Sequence, residues 1–194
     1  MACKPHAGHF ALAKLQEKYN VVHITQNIDS LLEQAGATNV KHLHGRIDRQ
    51  KCEWHNEITI LDGDVRFGCN YKTISKEPPK LGDLCPHCQG QMRPDVVWFN
   101  EAVDFSFDDM RELCKEVKYN DGVFICVGTS AEVYPAAYLV SFFAQVKNKF
   151  IVDPAPKKVA DYELLEGTAA AKLPELVERL LDEKLDKDMA VNSI

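Results

Sequence analysis

The sequence contains no Gly-x-Gly, and its ten glycines stand singly along the chain. Nothing in it therefore matches the glycine-rich turn that cradles a pyrophosphate at a helix N-terminus. No apolar run approaches the roughly 18 residues that a membrane-spanning helix needs. Met1-Ala2-Cys3-Lys4-Pro5-His6 offers no apolar stretch of the secretory kind. Basic residues are in the minority: 23 Lys and Arg stand against 29 Asp and Glu, a net charge of -6. That balance argues against nucleic acid, whose phosphates call for a basic face. The cysteines do not form an even set. There are seven, with one tight pair at Cys85 and Cys88. This suits metal binding in a reducing compartment such as the cytoplasm, and not a disulfide framework.

What is present is enough for one domain with a real core and a small insert, in 194 residues. Residues 5–18 read as a helix with Pro5 in its first turn and Phe10, Ala11, Ala13 and Leu15 as apolar positions. Val21 to Thr25 is an apolar, β-branched run and reads as a buried strand. Asp29 to Ala35 reads as a short helix closed by Gly36. Residues 46–92 are polar, bear Cys and His, and are rich in turn residues: a small inserted module. Beyond it, Val96 to Phe99 reads as extended and Asp108 to Val117 as helical. Gly122 to Val127 is a second buried strand, Tyr134 to Val146 an apolar helix, and Lys149 to Val152 a third strand. Pro174 to Leu185 reads as an amphipathic helix with Leu173, Val177, Leu180 and Leu181 apolar. Residues 187–194 read as a tail.

Strands alternating with helices predict a parallel sheet covered on both faces, a Rossmann-like α/β fold. Residues 1–45 and 93–186 would build it, with 46–92 inserted. In such sheets ligands sit beyond the carboxyl ends of the strands. Each strand here ends in polar residues: Gln26-Asn27-Ile28-Asp29, then Gly128-Thr129-Ser130, then Asp153. These are either ligand-binding residues or ordinary turn and cap residues.

The motifs narrow that choice. Thr25-Gln26-Asn27-Ile28-Asp29 is followed by Ala35-Gly36 and by His42-Leu43-His44-Gly45. Arg93-Pro94-Asp95-Val96-Val97-Trp98-Phe99-Asn100-Glu101 and Val127-Gly128-Thr129-Ser130-Ala131-Glu132-Val133-Tyr134-Pro135-Ala136-Ala137 come later. In wording and order these blocks resemble the sirtuin family of NAD-dependent protein lysine deacylases, nearest its bacterial and mitochondrial branch. The resemblance runs from about Pro5 to Leu173-Pro174-Glu175-Leu176. It implies His44 as the general base that takes a proton from an NAD ribose hydroxyl. An imidazole titrates near neutral pH and suits that work. It also implies Asn27 and Asp29 at the nicotinamide and its ribose, and Gln26 at ribose hydroxyls. Gly128, Thr129 and Ser130 would contact the cofactor, and Asp153 would face its adenosine half, where many members carry Asn.

The same resemblance implies that an acyl-lysine peptide adds as a strand, a mode that depends on backbone bonds. Val96, Val97, Trp98, Phe99, Glu101, Val133 and Tyr134 would then face the substrate. Trp98 and Phe99 either line an acyl-lysine tunnel or pack in the core. Cys85-Pro86-His87-Cys88 is a C-x2-C, and Cys52-Glu53-Trp54-His55 a C-x2-H. A structural zinc held by Cys52, Cys85, Cys88 and either His55 or Cys69 is expected, four ligands leaving no open position. The other reading is a decayed site.

The chain departs from the family in one respect. A sirtuin opens with a strand, a Gly-Ala-Gly-x-Ser loop and a Phe-Arg pair, and none of these is in the sequence. Either the chain is a fragment or it is a short protein with impaired cofactor binding. A raw edge or a gap in the sheet is the expected consequence. Two functional readings stand side by side: an NAD-dependent deacylase, or a catalytically silent zinc module that binds peptides.

Overall fold

The computed structural model describes residues 3–54, 58–61, 64–75, 77–99, 101, 103, 106–128, 136–182 and 189–193. The chain opens with α1 (Ala7–Lys14), β1 (Asn20–Thr25), α2 (Leu31–Gln34) and β2 (Val40–His42). Five strands follow: β3 (Gly45–Cys52), β4 (Ile58–Leu61), β5 (Asp64–Phe67), β6 (Lys72–Ile74) and β7 (Met92–Val96). Then come α3 (Phe107–Tyr119), β8 (Val123–Val127), α4 (Ala136–Phe142), β9 (Asn148–Asp153), β10 (Glu163–Glu166), α5 (Ala169–Asp182) and β11 (Met189–Ser193). They form two units. Met1–Asn27, Leu31–Leu43 and Asp104–Ile194 make the first, and Ile28–Ser30 with His44–Val103 the second.

The first unit is built on a six-stranded sheet of order β10-β9-β8-β11-β1-β2. Every pairing in it is parallel. Parallel strands covered on both faces read as near-continuous apolar runs, which is why β1 and β8 are legible in the sequence. Along β8, Val123, Ile125 and Val127 join Leu12 and Leu15 of the α1 segment and Leu173, Val177 and Leu180 of α5 in one core. Phe124 points to the opposite face and stacks on Phe143, centroids 4.4 Å apart. Alternation along a strand thus feeds two cores from one run.

Local chemistry sets the helix ends. His6, not Pro5, starts α1. Its Nδ1 accepts the Gly8 N–H while His9 Nδ1 accepts the His6 N–H, a reciprocal cap. Gly36, at φ +102, stops the segment after α2 in the left-handed region that favours glycine. Helix α5 begins five residues before Pro174, because Ala169-Ala170-Ala171-Lys172 are strong helix formers capped by the Thr168 carbonyl. Pro174 lies inside α5, where it leaves the Ala170 carbonyl without the backbone N–H that would otherwise reach it. Leu176, outside the expected apolar stripe, is buried with Leu173, Val177 and Leu180.

The tail expected over 187–194 is instead a strand over 189–193, and the expected gap in the sheet is filled. Strand β11 lies between β1 and β8, in register with both: Val191 pairs with Val22 on one side and Phe124 on the other. Val191 and Asn192 are fully buried. Two neighbouring strands with unpaired backbone groups favour whatever segment can complete their ladders.

The second unit holds a three-stranded antiparallel sheet, β6-β3-β7, and the β4–β5 hairpin. Its limits are wider than 46–92, because Met92–Val96 pairs with β3 and so belongs to this unit. Lys51 and Asp95 are buried in it. Lys51 Nζ lies 3.8 Å from Asp95 and 3.9 Å from Glu101, and Lys72 Nζ lies 3.3 Å from Asp95. Burial, and then the nearby Arg93 charge, push the Lys51 amine below its usual range.

Candidate functional site

In an all-parallel sheet the carboxyl ends of the strands share one edge, and ligands bind where the strand order reverses. Here the chain passes from β1 outward to β2, and from β8 outward to β9 and β10. The reversal therefore falls between β1 and β8, where β11 sits. Asn27 follows β1, Gly128 follows β8, and Asp153 ends β9, all on that edge.

The turn after β1 is pinned to β2. Leu43 N–H donates to the Thr25 carbonyl at 2.8 Å, and Asn27 N–H to the Thr25 hydroxyl at 3.0 Å. His42 Nδ1 lies 3.0 Å from the Asn27 carbonyl, and His42 Nε2 lies 2.9 Å from Glu33 Oε1. Asn27 is exposed and Gln26 half-buried. Neither His42 nor Glu33 stood out in the sequence. The only signal was a polar histidine ending a short strand.

Gly128 has φ +61, and its N–H donates to the Val152 carbonyl at 2.9 Å. Among the described residues, a Cβ built on it meets nothing within 4 Å. Asp153 has a local partner: its Oδ1 accepts the Ala155 N–H at 2.8 Å. That is a turn-capping role. Thr129, Ser130, Val133 and Tyr134 lie outside the described residues, as does His55.

In the second unit, Asp29 and His44 are half-buried. The His44 carbonyl accepts the Val97 N–H at 3.0 Å. Gly45 must be glycine. It has φ +74, and a Cβ there would fall 2.0 Å from the Asp95 carbonyl oxygen. This contact seats β3 on β7 directly after His44. Val96 ends β7, and Trp98 and Phe99 follow in a turn that Glu101 closes, its N–H donating to the Trp98 carbonyl at 3.0 Å. Glu101 Oε2 accepts the Trp98 N–H at 3.1 Å. Arg93 pairs with Glu101 and lies 4.5 Å from the Trp98 ring centre. Trp98 is half-exposed and Phe99 fully exposed. Core packing therefore accounts for neither, and the extended reading of Val96 to Phe99 holds only as far as Val96.

Cys52, Cys69, Cys85 and Cys88 converge, with all four sulfurs within 4.8 Å of one another. Cys52 and Cys88 are 3.4 Å apart, Cys69 and Cys85 3.6 Å. Zinc with four sulfurs at about 2.3 Å asks for sulfur–sulfur edges of about 3.8 Å. The chain returns after the β4–β5 hairpin, where Cys69 N–H donates to the Trp54 carbonyl at 2.9 Å, and Cys52 N–H to the Tyr71 carbonyl at 3.0 Å. That return makes Cys69 the fourth sulfur, so the decayed-site reading falls. Burial raises the Cys85 thiol, but the N–H groups of His87 and Cys88 and the Cys69 and Cys88 thiols outweigh it, bringing Cys85 down to about 7. Burial pushes Cys52 up to about 12. Four soft donors around one point fit a closed structural zinc site, and zinc would be held by these residues.

A parallel α/β sheet, a strand-end Gln-Asn-Ile-Asp, a His-Gly entering a small second unit and a four-cysteine centre define one class. The Sir2 family profile matches residues 1–135, and the chain belongs to that family. The NAD-dependent protein deacylase of Pyrococcus furiosus is 35% identical over 195 residues, spanning 93% of this chain and 70% of the relative. NAD-dependent protein deacylase 1 of Caldanaerobacter subterraneus is 37% identical over 158 residues, of which this chain spans 58% of the relative's length. Among solved structures, a Sir2 homologue in complex with NAD superposes with a TM-score of 0.68 at 33% identity, covering 92% of this chain and 65% of that one. Sir2 bound to acetylated peptide gives 0.61 at 26% identity, with 92% and 70% covered.

Proposed function

We propose that this chain acts in NAD-dependent deacylation of lysine side chains on proteins, with the acyl group passing to ADP-ribose and nicotinamide released. The observation that carries the reading is the pinned strand end that presents Asn27 at the switch point, in a Sir2-family chain with His44-Gly45 two residues beyond β2. The relatives named as NAD-dependent protein deacylases support it.

The residues fit the nucleoside half of NAD. Asn27 is exposed at the edge, and a Cβ on Gly128 would meet no described residue within 4 Å. When bound, NAD supplies the ADP-ribose that accepts the acyl group. Asn27 and Asp29 orient the nicotinamide and its ribose, and Gln26, Gly128, Thr129 and Ser130 line the same ligand. His44 takes a proton from a ribose hydroxyl at its imidazole, as general base. Val96, Val97, Trp98, Phe99, Glu101, Val133 and Tyr134 receive the acyl-lysine strand. Asp153 borders the adenosine half through its backbone, since its carboxylate caps its own turn. The cysteine centre holds the second unit in shape and takes no part in the chemistry. A cytoplasmic location is supported by cysteines that are all unpaired by disulfide.

The test is nicotinamide release by the full chain from NAD and an acetyl-lysine peptide. His44→Ala is expected to lower turnover by about 10²- to 10⁴-fold with the fold intact. Near-normal turnover in that variant would overturn the general-base role.

A further inference from the structure

The His42 ring joins two points of the chain that flank the loop after β1. Its Nδ1 meets the carbonyl of Asn27, at the start of the loop. Its Nε2 meets the carboxylate of Glu33, in the helix that follows the loop. A carbonyl oxygen only accepts, so Nδ1 carries the hydrogen of the first bond. The second bond needs a proton shared between Nε2 and Oε1. The ring is therefore oriented from both ends, and its side chain is only 7% exposed.

The peptide groups on both sides of the Asn27 Cα are thereby fixed. The N–H on one side is held by the Thr25 hydroxyl, and the carbonyl on the other by His42. With φ and ψ set, only χ1 and χ2 of the exposed Asn27 amide remain to be chosen. Preorganisation of this kind matters because small misplacements of a positioning group cost much in rate.

We propose that His42 is a positioning residue of the NAD site. It touches no reactant; it sets the direction of the Asn27 side chain by clamping the Asn27 carbonyl, and Glu33 sets the ring. The inference rests on the reading of Asn27 as a contact to nicotinamide and its ribose. The clamp belongs to the first unit alone.

Three substitutions separate positioning from plain support. His42→Ala removes both bonds. His42→Asn keeps an amide N–H close to where Nδ1 stands. His42→Gln keeps a polar group nearer Glu33 but abandons the Asn27 carbonyl. On the full chain, with NAD and acetyl-lysine peptide varied separately, His42→Ala is expected to lower kcat/KM for NAD about 10- to 100-fold. The KM for peptide should stay within about twofold, because the clamp acts on the nucleotide side. His42→Asn is expected to recover most of the loss and His42→Gln little of it. Equal impairment in all three, or none in His42→Ala, overturns the proposal.

Nuclear magnetic resonance of the same proteins gives a readout that needs no turnover. The Ile28 amide nitrogen, which shares its peptide group with the Asn27 carbonyl, should shift in His42→Ala and return in His42→Asn. An Ile28 resonance unmoved by His42→Ala shows that no clamp exists. A wild-type chain without NAD-dependent turnover, but with the Ile28 shift as described, contradicts the deacylase reading and leaves the clamp supported.

Discussion

Asn192 of β11 places its side-chain amide against the ring of His23 in β1, Nδ2 at 2.9 Å and Oδ1 at 3.1 Å from Nδ1, and both residues are wholly buried. Among the described residues, no hydrogen-bond partner faces His23 Nε2. One polar pair in an apolar sheet works as a register key. A slip of β11 by one residue would turn Asn192 to the other face and leave His23 without its partner. This pair, the buried Val191 and the two backbone ladders hold β11.

Burial pushes the His23 imidazole below its ordinary value, outweighing the Asn192 hydrogen bond and the Glu33 charge, which raise it. The folded state thus binds this proton less readily than the unfolded chain, whose histidines titrate near 6.5. Its contribution to stability is fully present above about pH 6.5 and is lost as pH falls toward the folded value. The slope is at most about 1.4 kcal/mol per pH unit. Urea titrations of wild type and His23→Gln at pH 7.5 and pH 5 measure it. The wild type should lose more stability than the variant, and an equal loss would show that His23 stays neutral in both states.

Removing residues 189–194 should destabilise the first unit by more than about 3 kcal/mol. Val191 alone is worth about 1.5–3 kcal/mol buried, and the ladder bonds to β1 and β8 add to it. Two raw strand edges would then face each other, with aggregation as the outcome. Amide exchange at Val22 and Phe124, with size-exclusion chromatography, follows both effects. Unchanged protection at those amides would mean that β11 is not a working part of the sheet.

One zinc per chain is expected, with Cys69→Ser abolishing it and His55→Ala leaving it in place. Metal analysis of protein purified without chelator decides this. Structural zinc sites carry folding free energy, so chelation should also unfold the second unit. The environment of Trp54 and Trp98 reports that loss by fluorescence. Full occupancy in Cys69→Ser would move the fourth ligand elsewhere.

NAD should bind the chain weakly. The sequence holds no Gly-x-Gly, so the pyrophosphate finds no glycine-rich cradle in these residues. Two or three missing charge-assisted bonds, each worth roughly 1.5–3 kcal/mol, weaken binding by roughly 3–9 kcal/mol. Calorimetry should therefore give a millimolar dissociation constant or weaker. Adding an N-terminal Gly-Ala-Gly-x-Ser segment should tighten it. A micromolar constant on the 194-residue chain would mean that another segment holds the phosphates.

The sequence by itself determined the class of fold and the family, because both depend on short-range patterns. Val21 to Thr25 and Val123 to Val127 are short runs of β-branched and apolar residues on both faces, and their length and β-branching mark them as strands buried on both sides. Thr25-Gln26-Asn27-Ile28-Asp29 and His44-Gly45 are legible because their meaning lies in adjacent residues. Tertiary structure alone decided the rest. Cys69 becomes the fourth sulfur only because β4 and β5 pair antiparallel and turn the chain back, and no local spacing encodes that return. Asp153 Oδ1 accepts the Ala155 N–H of its own turn, a local contact that the motif alone does not announce. His42 matters only because β2 lies beside the end of β1. Met189-Ala190-Val191-Asn192-Ser193 has no periodicity strong enough to announce a strand. It becomes one because β1 and β8 each present an unpaired backbone ladder, and their shared need for partners is a property of the assembled sheet that no single segment carries.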